Sequence, residues 1–520
     1  MIADHGLRQY GVQEVDIVTL VSSITKYAVT VKDPLRIRFE LEKAVHIMRH
    51  GRPGPVWIDI PLDVQSKDIN PDELVGYRPH QYSVPMAGEN DINECIRMLK
   101  AAKRPVLVVG YGVRLAGAEA RLNDLIDTLK IPVISSWTAS DMVHSPYHIG
   151  HMGIFGDRAS NFTVQNADLV LVIGSRLSIP MIGYDGKHFA RNAKVIMVDM
   201  DRAEMVKPSM HVDLQILSDA KWFMNDLLAS INSFDSPTPW LGKCLAWREQ
   251  YPVCLPDYEK QKDGINAFYF VNELSRHLPD DAIVVVDTGA SFTCTFAAAK
   301  MKKGQRWINA SGMAPMGYSL PAAIGAAFAT GKKVICIVGD GSLQFNLAEL
   351  QTIVHHQLPI TIFVLNNNGY LTIQHMQDNH FKRRVGSDPA SGVSCPSTAL
   401  IARAYGIEEY RMIDKTYLDK WLWPVLEKPG PYICEIMMPE GQPLIPRVMS
   451  QKLADGTIKG GPIEDLYPYL PRDEFEAAMA VSKESAATCA TFDSEASSTR
   501  SGEASEARVG ADQIKEFEYR

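Results

Sequence analysis

The chain contains no apolar stretch approaching the roughly 18 residues of a membrane-spanning helix, so no membrane partner is expected. It also lacks any long run of Lys or Arg. With 53 basic against 61 acidic side chains its formal net charge is −8, which argues against nucleic acid as the main partner. The eight cysteines (Cys95, Cys244, Cys254, Cys294, Cys336, Cys395, Cys434 and Cys489) include no CxxC pair. Several sit inside apolar, strand-like runs, so they read as reduced core thiols. Met1 opens a polar segment with no secretory pattern. A cytoplasmic location is the expectation.

What is present is ordinary globular material in quantity. At 520 residues, 46% hydrophobic and 22% charged, the chain should hold two to four domains with ample core. The organising stretch is 334–369, VICIVGDGSLQFNLAELQTIVHHQLPITIFVLNNNG. An apolar run, Val334–Val338, stops at Gly339-Asp340-Gly341. A helical stretch follows from about Leu347 to His356, with Leu347, Leu350, Ile353 and Val354 on one face. A second buried-type strand, Ile360–Leu365, stops at Asn366-Asn367-Asn368-Gly369. This predicts a βαβ unit whose strands both end in small polar residues, the end of an open parallel sheet where ligands bind.

Those residues suit a magnesium diphosphate. A hard divalent cation takes oxygen ligands and bridges a few protein groups to phosphate oxygens. Asp340 offers a carboxylate, Asn367 an amide oxygen and Gly369 a carbonyl. Gly339 and Gly341 let backbone approach phosphates, and Ser342 offers a hydroxyl. The 24 residues between Gly341 and Asn366 leave room for one helix and a return strand. A lone GDG is a common turn; the spacing to the Asn run is what makes it specific.

The segment GDGSLQFNLAELQTI…LNNNGY resembles the thiamine-diphosphate signature of the acetolactate synthase (acetohydroxyacid synthase, large subunit) family, and the similarity runs from about Gly6 to Met438. The resemblance implies an α/β fold of three doubly wound parallel-sheet domains. Residues 1–67 correspond to the C-terminal part of a pyrimidine-binding domain, 68–91 to a linker and 92–231 to a central FAD-type domain. Residues 232–265 form a connector, 266–445 a thiamine-diphosphate/Mg²⁺ domain, 446–471 a C-terminal segment and 472–520 a disordered tail rich in Ala, Ser, Glu and Thr. It implies a carboligase that decarboxylates pyruvate and transfers the two-carbon unit to a 2-oxo acid or keto sugar, as in branched-chain amino acid biosynthesis. It further implies a homodimer or homotetramer, with thiamine diphosphate and Mg²⁺ as cofactors and FAD in the central domain.

Residue by residue, the family's motifs fall here on Gly289, Ser291, Gly339, Gly341, Ser342 and Tyr370 around the cofactor. Ala314 supplies a carbonyl for its amino group, and Met316 props it into a bent shape. Asp340, Asn367 and Gly369 fall on the metal ligands, and Gln13 and Lys26 lie near a substrate channel. Arg176 reaches a flavin phosphate or ring oxygen, and Asp199 and Asp201 reach its sugar hydroxyls. Lys26 reads equally as a solvated surface lysine, and the competing reading for the central-domain motifs is that they are ordinary loops of a flavin-free relative. Gly110-Tyr111-Gly112 lacks the third glycine of a dinucleotide fingerprint and reads as a tight strand-to-helix turn. Plain core filling is the competing reading for Met316.

The departures matter too. Residues 1–67 are short for a domain, and the family's activating glutamate has no counterpart; Glu14 lies in the wrong motif. The chain is thus either a fragment of an active enzyme or a truncated relative with a binding or regulatory role, and a simple 2-oxo acid decarboxylase is a third reading. Ala290 and Ser291 replace the family's Gln-His pair. The stretch 369–396, one residue shorter than usual at Gly369–Gln374, reads as an irregular loop covering the site. There it resembles enzymes of branched-chain sugar pathways, and His375, His380, Lys382 and Arg383 read as anion contacts or, equally, as a solvated loop.

Overall fold

The computed structural model describes residues 9, 11–79, 84–452 and 454–481. The chain up to Pro471 forms one compact unit and the segment from Arg472 a second. The described part of the second unit contains a helix, Arg472–Met479, where the composition predicts disorder. Its opening RDEFEAAM places two acids in the first turn, where the helix dipole favours them. The rest of that tail, with Cys489, lies outside the described residues.

The first unit contains three parallel sheets. The first pairs β1 (Tyr27–Thr30) with β2 (Val56–Asp59) across the helix Ile37–Arg49. Asp33 starts that crossover, its carboxylate accepting the Leu35 N–H (3.0 Å) ahead of Pro34, an N-cap with proline at the first helical position.

The central sheet comprises β3 (Pro105–Val109), β4 (Val133–Ser135), β5 (His148–Gly150), β6 (Leu169–Ile173), β7 (Lys194–Asp199) and β8 (Leu214–Leu217), in the order β5-β4-β3-β6-β7-β8. Every residue of β3 and β6 is buried, because helices cover both faces and the strands need apolar side chains on each. The helix Glu89–Ala101 sets Ile92, Cys95 and Leu99 on its buried stripe. It begins three residues before the apolar pattern does, because the Asp91 carboxylate accepts the Gly88 N–H (3.3 Å).

The third sheet comprises β9 (Ile283–Val286), β10 (Arg306–Ile308), β11 (Val334–Gly339), β12 (Ile360–Asn366), β13 (Glu408–Met412) and β14 (Tyr432–Met437), in the order β10-β9-β11-β12-β14-β13, all parallel. A small antiparallel pair, β15 (Ser450–Lys452) and β16 (Ile458–Gly460), follows.

Two stretches differ from the sequence reading. The connector at 232–265 contains a 13-residue helix, Thr238–Gln250. Its Pro239 stands in the first turn, where a missing N–H breaks no bond, and Trp240, Cys244 and Trp247 are buried at helical spacing. The stretch 369–396 is not wholly irregular: Leu371–His380 is helical. All seven described cysteines are free thiols, five of them buried. No helix among the described residues is long and apolar enough to cross a membrane.

Candidate active site

The β11 and β12 strands lie side by side in register, Gly339 opposite Leu365, so the residues just past their ends meet. Asp340 is buried, and its two carboxylate oxygens accept N–H groups from Gly341 (2.8 Å) and Gly369 (2.9 Å). Burial pushes its carboxyl up to about 6, against backbone N–H groups that pull it down. Among the described residues no cationic side chain bonds it, and a buried carboxylate so placed is one for a cation to stabilise. The Asn367 amide, also buried, lies 3.1 Å from the Gly369 carbonyl oxygen. Oxygens that share a small octahedral cation at about 2.1 Å stand about 3 Å apart, so the spacing suits two neighbouring ligands once the amide turns its oxygen inward. The described residues hold no cluster of three His, Cys, Asp or Glu. The donors here are one carboxylate, one amide and one carbonyl, an all-oxygen set that leaves positions for phosphate oxygens.

Gly341 is required by its neighbour: a Cβ there would stand 2.2 Å from the Tyr370 ring, so Tyr370 packs directly against this backbone. Gly339, by contrast, faces open space, with nothing within 4 Å of an added Cβ. Ser342 is buried in the short helical turn Asp340–Leu343. Gly369 adopts φ 143° and sits against Ser387, whose carbonyl accepts the Tyr370 N–H (2.8 Å).

Opposite, Asp287, a residue that sequence reasoning passed over, directly follows β9. It is 2% exposed, and its carboxylate accepts N–H groups from Thr288 (2.9 Å), Gly317 (3.3 Å) and Ser319 (2.8 Å). It thereby ties the end of β9 to the loop carrying Ala314 and Met316. The signal available was an acid directly after an all-apolar strand. Asn346 is a second residue missed: its amide donates to the Gly317 carbonyl (2.7 Å), linking that loop to the GDG turn. Ala314 holds a left-handed φ of 48°, unusual for a residue with a Cβ. Met316, on the same loop, is half-buried. Gly289 takes φ 73° and has open space over it. Ser291 is buried and donates its hydroxyl proton to the Thr288 carbonyl (2.6 Å), so that proton is spent inside the chain.

A cavity of about 820 Å³ opens at the carboxyl ends of β3 and β6. Gly110, Gly112 and Gly174 pack against one another there, an added Cβ on Gly110 falling 2.2 Å from the Gly174 carbonyl. The tight turn read from Gly110-Tyr111-Gly112 is thus a close approach of two strand-end loops. Arg176 lines the rim, its guanidinium on Glu204 (2.8 Å), and Arg52 reaches the same Glu204 (2.9 Å) and Asp201 (3.1 Å). Asp199 also lines the cavity, and burial pushes its carboxyl upward. The far wall is Trp307, Met313 and Pro315, so the cavity reaches the loop of Ala314 and Met316.

Gln13 and Lys26 do not join either place. Gln13 is exposed at φ 63°. The Lys26 ammonium donates to the Ile47, His50 and Arg52 carbonyls (2.6, 2.7 and 2.9 Å), closing the end of helix Ile37–Arg49. His375 faces Arg447 (3.4 Å), while His380, Lys382 and Arg383 follow at the end of the new helix.

Residues 287–436 match the C-terminal TPP-binding domain of thiamine pyrophosphate enzymes, and residues 92–227 match the central domain of the same enzymes. The acetolactate synthase large subunit of Cyanidium caldarium is 31% identical over 455 residues, covering 85% of this chain and 76% of that protein. The acetolactate synthase isozyme 1 large subunit of Escherichia coli (strain K12) is 31% identical over 443 residues, 84% and 76% of the two chains. A probable acetolactate synthase large subunit of Methanocaldococcus jannaschii is 29% identical over 455 residues, 84% and 75%. With a cation-ready acid at the end of β11 and both domain types matched in order, the chain belongs to the thiamine-diphosphate enzymes of the acetolactate synthase type.

Proposed function

We propose that this chain is a carboligase that holds thiamine diphosphate through Mg²⁺, decarboxylates pyruvate and passes the two-carbon unit to a second carbonyl, of a 2-oxo acid or keto sugar. The observation that carries the reading is the convergence of the Asp340 carboxylate, the Asn367 amide and the Gly369 carbonyl at one buried point. Thiamine diphosphate, when bound, supplies the electron sink for loss of CO₂ and the carbon nucleophile for the second carbonyl. This chain's residues bind and orient it. Asp340, Asn367 and Gly369 hold the metal, and Gly339 leaves space for the diphosphate. Asp287 fixes the loop that presents the Ala314 carbonyl and the Met316 side chain. Tyr370 and the helix Leu371–His380 cover the site against water.

In the central domain the 820 Å³ cavity is within the size range of cofactor sites. Its place at the reversal of strand order supports FAD there, with Arg176 toward a phosphate and Asp199 toward a sugar hydroxyl. A homodimer or homotetramer completes the proposal. A second reading, a chain that binds the cofactor without turnover, is favoured by one observation: among the described residues no glutamate lines the cavity that reaches the Ala314 loop.

The deciding experiment follows CO₂ release from pyruvate with and without thiamine diphosphate and Mg²⁺, beside calorimetric cofactor binding. Turnover that needs both, with acetolactate as product, supports the carboligase; acetaldehyde instead marks a decarboxylase. Magnesium-dependent binding without turnover selects the second reading. Absence of binding overturns both.

A further inference from the structure

A second cavity, of about 770 Å³, lies across the 3₁₀ segment Trp137–Met142 from the first. One wall belongs to the central domain: His144, His148 and Asp157, with Arg248 from the helix Thr238–Gln250. The other belongs to the cofactor domain: Arg276, Lys300 and Lys303. Four permanent cations therefore face one carboxylate.

The pairing inside makes the imbalance sharper. Asp157 turns a carboxylate oxygen to the His151 N–H (2.9 Å), and burial pushes its carboxyl upward. Arg276 is held by Glu273 of its own helix (2.9 Å). Arg248 uses one amino group on two backbone carbonyls, those of Pro146 (3.0 Å) and His148 (2.6 Å). Its other N–H groups have no acceptor among the described residues, so the guanidinium is fixed in place with part of its fork unused. Neither Lys300 nor Lys303 has a carboxylate at ion-pair distance among the described residues. Unpaired cations converging on a concave surface focus a positive potential, and a fixed guanidinium fork matches an oxyanion.

We propose that this cavity is a binding site for a small polyanion, whose phosphate or carboxylate oxygens take the unused fork of Arg248 and the ammonium groups of Lys300 and Lys303. Its volume suits a small metabolite. The walls come from two domains, so an anion there bridges them. The segment between the cavities carries the consequence further. Trp137 and Thr138 face the first cavity and Ser140 faces the second. Asp141 of the same segment accepts from Arg306 (2.7 Å) and from the Trp307 N–H (2.9 Å). Occupancy of the second cavity thus bears on the wall of the first, as an effector site does.

The test titrates the full chain, with thiamine diphosphate and Mg²⁺ in excess, with inorganic phosphate and separately with malonate, by calorimetry. Saturable binding of at least one probe is expected at one site per chain. Arg248→Gln, and the double variant Lys300→Gln/Lys303→Gln, should each weaken it by about tenfold, the share of a charge-assisted contact. Tighter binding of phosphate assigns the site to phosphate esters, and tighter binding of malonate to dicarboxylates. Because Lys300 and Lys303 are exposed, the double variant reports even where Arg248→Gln weakens the fold. No saturation by either probe, or affinity unchanged in the double variant, overturns the proposal.

Discussion

The two six-stranded sheets have the same logic and opposite chemistry. In each, the first strand has its successor on one side and a later strand on the other: β3 stands between β4 and β6, and β9 between β10 and β11. A crevice opens at that reversal in both. In the central sheet it is lined by glycines so close that no side chain fits between them. In the cofactor sheet it is lined by two buried acids, Asp287 and Asp340, each fed by backbone N–H groups. Topology supplies the crevice, and the few residues just past the strand ends decide what it can hold.

The sharpest break in this comparison is Asp340→Ala. It should weaken thiamine diphosphate binding in Mg²⁺ by about a hundredfold, roughly 3 kcal/mol, the scale for truncating a buried charged partner. The flavin binding proposed for the central cavity, followed by fluorescence, should not change. A loss in both sites would show that the crevices do not act independently.

Next comes a pair of glycines. Gly110→Ala places a methyl 2.2 Å from the Gly174 carbonyl and 2.4 Å from Ser175 Cα, a backbone clash that should destabilise the central domain by about 3 kcal/mol. Gly339→Ala meets nothing within 4 Å and has an ordinary φ of −79°. It should leave the melting temperature nearly unchanged and weaken cofactor binding instead. Equal losses of stability in the two variants would remove the distinction between packing glycines and ligand-facing ones.

Asp287→Asn sharpens the same contrast from the acid side. One carboxylate oxygen becomes an amide N–H₂ facing the Ser319 or Gly317 N–H, which should destabilise by about 2 kcal/mol through an unmet buried donor. Because the Ala314–Met316 loop hangs on this acid, thiamine diphosphate affinity should fall as well. Asp287→Asn with native affinity would free that loop from any dependence on β9.

Much of this was legible in the sequence, for physical reasons that differ by region. Val334–Gly339 and Ile360–Asn366 are buried on both faces, so their apolar runs are continuous and their polar ends abrupt. Asp287 and Asn346 were not legible, because each acts through backbone groups far away in sequence, and a single acid or amide carries no periodic mark. The helix Leu371–His380 was hidden because only Leu371 and Gln374 of it are buried, which leaves almost no apolar stripe. The helix Thr238–Gln250 was hidden by Pro239 and Gly242, which read as breakers although one stands at the helix start and the other has open space around it.

The smallest effect concerns two lysines in matching places. Lys26 precedes β1 and closes the helix Ile37–Arg49; Lys333 precedes β11 and closes the helix Lys415–Glu427, donating to the Val425 (2.6 Å), Leu426 (2.8 Å) and Lys428 carbonyls. An ammonium at a helix C-terminus satisfies carbonyls that have no partner in the helix and meets the negative end of its dipole. The sequence alone gave Lys26 two readings, substrate contact or solvated surface, and its three carbonyl partners supply a third. Lys26→Met should therefore lower stability by about 1 kcal/mol, and Lys333→Met, at a more buried position, by about 2 kcal/mol. Neither should alter KM for the proposed substrate, pyruvate. A raised KM in Lys26→Met at unchanged melting temperature would return Lys26 to the substrate path and leave Lys333 as the only structural member of the pair.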